Sequence, residues 1–474
     1  MTFNSSTYFL FLPIVFLIFY LCGGRWRWQI LLIASFIFYS ALAIPWLPVV
    51  LGLVILITYF IGIGIHTTQT EKKKKLYLWC GIGANLLILG TLKYLPAGFS
   101  IQIPFAVGLS YYVFQAISYL ADVHKQTIEP ERHFGYFALY LSFFPKLLQG
   151  PIERANDLLP QLKQPYAFDY DMARSGLFLF TWGLFKKIVV ADRLALFVNP
   201  VYGDVHSYQG IPLILATYFY TLQIYMDFSG YTDMALGSAR LFNIKLTQNF
   251  NSPYLSTSVS DFWRRWHITL SRFLKDYLYI PLGGSRNGSA RRSINLMITM
   301  LLCGIWHGAG WSFIVWGGIH GLFLVAGSYY RPLKKKIHEF IGWDKSSFLK
   351  AWQTFFTFNL VAFAWIFFRA NNLSDAFYVV THLTTGLGEA LPNLYRPDIL
   401  VQNVFIGVKK WEFILMLGLI VFTFLTDWLT KNREIGDLLF REPAWVRWPV
   451  YYMLILSTLI LGIFGESQFI YFKF

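Results

Sequence analysis

Apolar runs recur from one end of the chain to the other, and no polar stretch between them is long enough to fold on its own. Tyr8 to Cys22, Gln29 to Ala43 and Pro45 to Ile65 follow one another closely, each rich in aliphatic and aromatic residues and free of charge. A hydrocarbon core about 30 Å thick takes roughly 20 helical residues to cross, so the chain offers roughly ten to thirteen candidate spans, several of them short or interrupted. The pattern predicts an all-α polytopic membrane protein with a single membrane domain over residues 1–474. Tyr8 to Cys22 lacks the basic flank of a cleavable signal and is followed at once by similar runs, so it reads as the first span of the mature protein.

Polar residues enter this background unevenly. Up to about Lys125 few interrupt the apolar runs, as in a structural wall. The stretch Phe143-Phe144-Pro145-Lys146-Leu147-Leu148-Gln149-Gly150-Pro151-Ile152-Glu153-Arg154 is different: its prolines and glycine cannot continue one straight helix, and it reads as a re-entrant or funnel-wall segment or as an interfacial loop. Leu215 to Ala239 is apolar but holds Gln223, Asp227, Ser229, Tyr231 and Asp233. A carboxylate near mid-bilayer costs at least ~2.5 kcal/mol, so these acids need a cation such as Lys186 or Arg193, or a catalytic use.

Further on, Ser258-Val259-Ser260-Asp261 has the spacing of a capping box, with Ser258 accepting an amide hydrogen bond and Asp261 returning one. The helix it opens runs through Phe262 to Arg272, too charged to span yet rich in tryptophan, and places Trp263, His267 and Ser271 on one face. Pro281 to Gly288 ends it. The next span, Ile294 to Trp306, carries His307 at or near its end, and the spacing of Gly304 with Gly308 and of Gly317 with Gly321 lets neighbouring helices approach closely. Residues 1–125 thus form an N-terminal wall, 134–330 the candidate core, and 348–474 further helices with polar connections at Leu373 to Leu383 and Lys431 to Arg447.

Composition agrees with the pattern: 56% of the 474 residues are hydrophobic and 14% charged, where a soluble domain carries about 25% charge. The net charge of +15 falls in short clusters between apolar runs rather than along a stripe, which argues for membrane topology and against nucleic acid. Arg25 and Arg27 follow the first span and Lys72 to Lys75 follow two more, so the positive-inside rule puts the N-terminus outside. The pairs Lys186/Lys187, Arg264/Arg265, Arg291/Arg292 and Lys409/Lys410 and the run Lys334 to Lys336 mark further cytoplasmic ends. Cys22, Cys80 and Cys303 are isolated thiols without disulfide or zinc spacing and read as small buried apolar residues.

Among chemically useful side chains the histidines stand out, because an imidazole with an ordinary pKa near 6.5 suits a general base at neutral pH. His66, His124, His133, His206, His338 and His382 lie in or near connections and read as surface groups. His267, His307 and His320 remain; His320, among glycines, reads as a hydrogen-bond partner across a helix contact, and for His307 that reading stands beside a catalytic one. His267 and His307 are far apart in sequence with no compact ligand spacing, so no metal is indicated, and Gly283-Gly284-Ser285-Arg286 lacks the Walker lysine and the dinucleotide spacing. Trp263, Trp266 and Trp306 read as interfacial anchors, with a tunnel-shaping role as the alternative.

At these residues the chain resembles the membrane-bound O-acyltransferase (MBOAT) family, in the branch of the alginate O-acetyltransferase membrane subunit. The resemblance covers most of the sequence and rests on Phe144-Pro145-Lys146 through Gly150-Pro151-Ile152, Met226-Asp227-Phe228-Ser229-Gly230-Tyr231-Thr232-Asp233, and Asn249-Phe250-Asn251-Ser252-Pro253-Tyr254. More specific are Asp261-Phe262-Trp263-Arg264-Arg265-Trp266-His267, Tyr277-Leu278-Tyr279-Ile280-Pro281-Leu282-Gly283-Gly284 and Gly304-Ile305-Trp306-His307-Gly308. It implies a ring of roughly 11–13 transmembrane helices around a tunnel, with re-entrant or interfacial helices. It also implies that His307 is the catalytic histidine and His267 a second functional one.

By the same resemblance no cofactor is bound permanently, and the donor is acetyl-coenzyme A or another acyl thioester reaching the site from the cytoplasm. The acyl group then leaves towards an extracytoplasmic acetyltransferase partner for O-acetylation of an exopolysaccharide or cell-wall polysaccharide, alginate-type above all, at the bacterial inner membrane. Arg264 and Arg265 are then candidates for attracting an anionic donor, besides marking topology. The competing expectations are a transporter or flippase for a polysaccharide or lipid-linked intermediate, in which Asp227, Asp233 and His307 relay protons or bind substrate, and a scaffold in which His307 is replaceable.

Overall fold

A computed structural model describes residues 1–94, 107–164, 167–341, 346–430, 435–465 and 469–470. Lys431, expected to open a polar connection, lies outside the described residues, as do the side chains of Lys334, Lys335 and His338. Helices make up the regular structure, with no strand among the described residues. By backbone packing the chain forms two units, Met1–Leu184 with Gly230–Gln248, and Phe185–Ser229 with Asn249–Ile470.

In the first unit α1 (Ser6–Leu21) starts where the Ser5 hydroxyl accepts the Tyr8 N–H at 3.3 Å, satisfying a donor that the first turn leaves over. It is followed by α2 (Arg27–Ser40), α3 (Trp46–Thr67), α4 (Glu71–Lys93) and α5 (Leu109–His124), of which α3, α4 and α5 pack on one another. After α6 (Phe134–Ser142) comes the proline-broken segment, with one short helical turn, α7 (Phe144–Leu147), before α8 (Ala155–Lys163) and α9 (Tyr170–Phe185). Phe143 to Glu153 is buried throughout. Gln149 Oε1 is buried with no hydrogen-bond partner among the described residues, whereas the two charged side chains, whose burial would cost most, are engaged. The Lys146 ammonium donates to Gln115 Oε1 at 2.5 Å and to the Leu141 carbonyl at 3.3 Å, and the Glu153 carboxylate accepts from the N–H and hydroxyl of Thr247.

The second unit begins with a π-helical turn at Lys186–Ala191, which runs on into α10 (Asp192–Gly203). The long α11 (Ile211–Arg240) gives its residues up to Ser229 to this unit and those from Gly230 to the first. Asp227 has the cation the sequence called for, though not the one expected. Lys187, rather than Lys186 or Arg193, bridges Asp227 at 2.7 Å and Asp192 at 2.9 Å, while Lys186 donates to Ser229 Oγ at 3.0 Å and Arg193 pairs with Glu412. Both lysines point inwards and are buried. Asp227 also accepts the Ile470 N–H at 2.9 Å.

Among the described residues six helices, or parts of helices, are long and apolar enough to cross a membrane: α3, α4, Trp311–Tyr330, Ser347–Arg369, Lys410–Leu429 and Ala444–Leu461. α1 is apolar but shorter. Other apolar runs of the sequence fold into helices that carry polar side chains, as α11 does with Gln223, Asp227 and Ser229, all buried. Large exposed apolar side chains on the spans, such as Trp411, Trp445 and Ile460, suit contact with lipid rather than water.

Candidate active site

Three histidines of the second unit converge through local structure that differs for each. His307 is the last residue of α12 (Gly288–His307), which stops as Gly308 turns to extended backbone with φ −177°. α12 lies against α13 (Trp311–Ile341) at very short range. A Cβ placed on Gly304 would come within 2.3 Å of the Phe313 carbonyl oxygen, and one on Gly317 within 2.3 Å of that of Met300. Only glycine permits this approach, so the expected small-residue packing is what seats His307 beside the side chains of α13.

His267 departs from expectation. Ser258 caps its helix as predicted, its hydroxyl accepting the Asp261 N–H at 3.1 Å, but the Asp261 carboxylate takes the Arg265 guanidinium at 3.1 Å, with Arg264 at 3.5 Å. The helix then ends at Arg265, and a second one, Ile268–Leu274, starts beyond the break. His267 is the hinge, in the left-handed region at φ +41°, so it does not share a face with Trp263 and Ser271. The cause lies in another segment. The Asn249 carbonyl accepts the Ile268 N–H at 2.9 Å and the Asn251 N–H donates to the Arg265 carbonyl at 3.0 Å, so the Asn249 to Asn251 strand of chain satisfies the groups that a continuous helix would have paired internally.

His320, on α13, accepts the Trp263 indole N–H on its Nδ1 at 3.2 Å, the cross-helix hydrogen bond anticipated for it. Its Nε2 is buried with no hydrogen-bond partner among the described residues.

Between them the rings alternate. Trp306 lies 6.2 Å from His267 and 4.6 Å from His307, centroid to centroid; Trp316 lies 5.0 Å from His307 and 4.9 Å from His320. Phe368 adds a further ring 5.0 Å from His307, and Trp365 stacks on Trp316 at 5.7 Å. The histidines are 1%, 3% and 0% exposed in chain order, and Trp263, Trp266 and Trp306 are buried with them, which overturns their reading as interfacial anchors. Aromatic edges and faces pack densely here, so the imidazoles sit in a water-poor surrounding in which hydrogen-bonding and charge effects are strengthened. Burial lowers the His267 pKa to about 3, and its ring, in the break outside all six spans, is neutral at ordinary pH.

Trp316 and Phe368 had no place in the sequence reading. Trp316 was legible in principle, standing four residues before His320 on the same helix and so on the same face; Phe368 meets His307 only through tertiary packing. Arg264 is largely exposed and paired with Asp261. Among the described residues no group of three or more His, Cys, Asp or Glu side chains gathers to hold a metal.

The sequence profile of the membrane-bound O-acyltransferase family matches residues 31–368. The peptidoglycan O-acetyltransferase of Helicobacter pylori is 34% identical, in an alignment covering 100% of this chain and 97% of the relative. The "Probable alginate O-acetylase AlgI" of Pseudomonas putida is 37% identical over 79% of each chain, and the teichoic acid D-alanyltransferase of Bacillus subtilis 25% identical over 48% of this chain and 60% of its own.

Proposed function

The chain belongs to the membrane-bound O-acyltransferase family, and from that membership we propose that it transfers acetyl groups from a cytoplasmic thioester, acetyl-coenzyme A, towards a cell-surface polysaccharide, with His307 as general base and His267 beside it. The observation that supports this reading is the buried cluster in which His267 and His307 flank one indole. The acceptor hydroxyl gives its proton to the His307 imidazole and its oxygen attacks the thioester carbonyl carbon. A C–O bond forms, the C–S bond breaks, and the coenzyme thiolate leaves with the proton that His307 returns. A water-poor aromatic wall keeps the thioester from hydrolysis.

The inner membrane and a separate extracytoplasmic acetyltransferase partner complete the proposal: the thioester is cytoplasmic, and the polymer lies outside. Peptidoglycan is the first polymer to test, because the match to the H. pylori relative runs the full length of this chain. The transporter reading has Asp227, Asp233 and His307 relay protons or bind cargo, and of these Asp227 is taken up by Lys187 and by the Ile470 N–H. The test is wild-type protein in proteoliposomes, supplied with labelled acetyl-coenzyme A on one face and with peptidoglycan or alginate fragments and the candidate partner on the other. Acetyl transfer coupled to thioester loss supports the proposal, and no thioester loss with any partner would reject it.

A further inference from the structure

The resting state of His267 is set by a residue that the acyl-transfer reading, on which this inference rests, leaves without a task. Asn249 is 1% exposed, and its Oδ1 accepts the Thr269 N–H at 3.2 Å and the Thr269 hydroxyl at 2.7 Å, with His267 Nδ1 3.4 Å away. A backbone N–H can only donate, so the amide atom that faces Thr269 is the oxygen. An amide oxygen can only accept, so the contact with His267 Nδ1 is a hydrogen bond only in the tautomer that carries the hydrogen there. In a neutral imidazole this leaves Nε2 with a bare lone pair.

The backbone holds the two residues together, since the Asn249 carbonyl takes the Ile268 N–H and His267 is pinned in the left-handed region. His320 is locked the other way: it accepts on Nδ1, which leaves its hydrogen on Nε2. Asn249 Nδ2 meanwhile is buried with no partner among the described residues. A spare buried donor costs stability, and a role in chemistry is one explanation for keeping it.

We propose that Asn249 is a positioning residue for acyl transfer, holding His267 in the Nδ1–H tautomer so that Nε2 accepts a hydrogen bond from a donor group of the acceptor other than the reacting hydroxyl and so turns that hydroxyl towards His307. The proton itself goes to His307, and His267 ends the cycle as it began.

The test uses the full chain in proteoliposomes with acetyl-coenzyme A and an active acceptor. Asn249→Leu is expected to lower kcat about 10- to 100-fold, the range that follows loss of a group orienting a metal-bound histidine, with the KM for the thioester unchanged. Asn249→Asp keeps an acceptor oxygen in place and retains most of the rate. Independently, 15N solid-state NMR of histidine-labelled protein, with the His267→Gln spectrum subtracted, is expected to show a protonated Nδ1 and a bare Nε2 in the wild type, and a mixture in Asn249→Leu. A protonated Nε2 in the wild type, or folded Asn249→Leu at full kcat, overturns the inference. Full activity in both His267→Ala and His307→Ala would instead overturn the acyl-transfer reading beneath it.

Discussion

Replacing Gly317 by alanine tests whether the contact between α12 and α13 positions the chemistry. The added Cβ would stand 2.3 Å from the Met300 carbonyl oxygen and 3.3 Å from the Gly304 Cα, about 1.1 Å inside the 3.4 Å at which ordinary contact begins. Both obstructing atoms are backbone, so no side chain can swing aside and the helices must part by roughly that distance. Overpacking of this kind costs about 1–3 kcal/mol. Trp316, the neighbour of Gly317, touches the His307 ring, and a displacement of about 1 Å in a reacting geometry is worth about 10²-fold in rate. Gly318→Ala is the control, because its Cβ would meet nothing closer than Leu301 Cδ2 at 3.7 Å. Thermal unfolding in detergent and thioester turnover are measured on both variants. The expected result is a less stable, roughly hundredfold slower Gly317→Ala beside a near-normal Gly318→Ala; equal behaviour of the two would refute the packing argument.

Lys187→Met removes the cation that Asp227 and Asp192 share, leaving two buried carboxylates, and is expected to destabilise the protein by about 3–5 kcal/mol, read as a lowered unfolding midpoint. Lys187→Met combined with Asp227→Asn should recover part of that loss. For His267, burial lowers the pKa from 6.5 to about 3, so the unfolded chain binds the extra proton between those values and folding stability, complete above pH 6.5, drains away as pH falls towards 3. His267→Gln removes this ionisation, and its stability should fall less steeply than that of the wild type over the same range; parallel curves would contradict the neutral, buried ring.

What could be read from sequence follows from how local its cause was. The Ser258 cap, the stop at Gly308 and the glycine spacings of α12 and α13 depend on a few adjacent residues, and the structure has them where they were expected. The break at His267 depends on Asn249 to Asn251, which lie well upstream and take over hydrogen bonds that the helix would have made. A helical pattern carries no trace of that competition. Which cation Asp227 takes was not legible, because Lys186 and Lys187 are adjacent and only tertiary packing brings Lys187 to Asp227 and Asp192 and Lys186 to Ser229. Tryptophans near charged residues fit an interface and a buried aromatic cluster equally well, and only the packing of α13 and Ser347–Arg369 around them decides for burial.

The central claim is that His307 takes the proton of the acceptor hydroxyl. Its most direct test is acetyl transfer from labelled acetyl-coenzyme A by reconstituted wild type and His307→Ala, with folding and thioester binding measured on both. The account predicts that His307→Ala stays folded and binds the thioester but transfers label at least about 10²-fold more slowly. Transfer at the wild-type rate by the folded variant would contradict it.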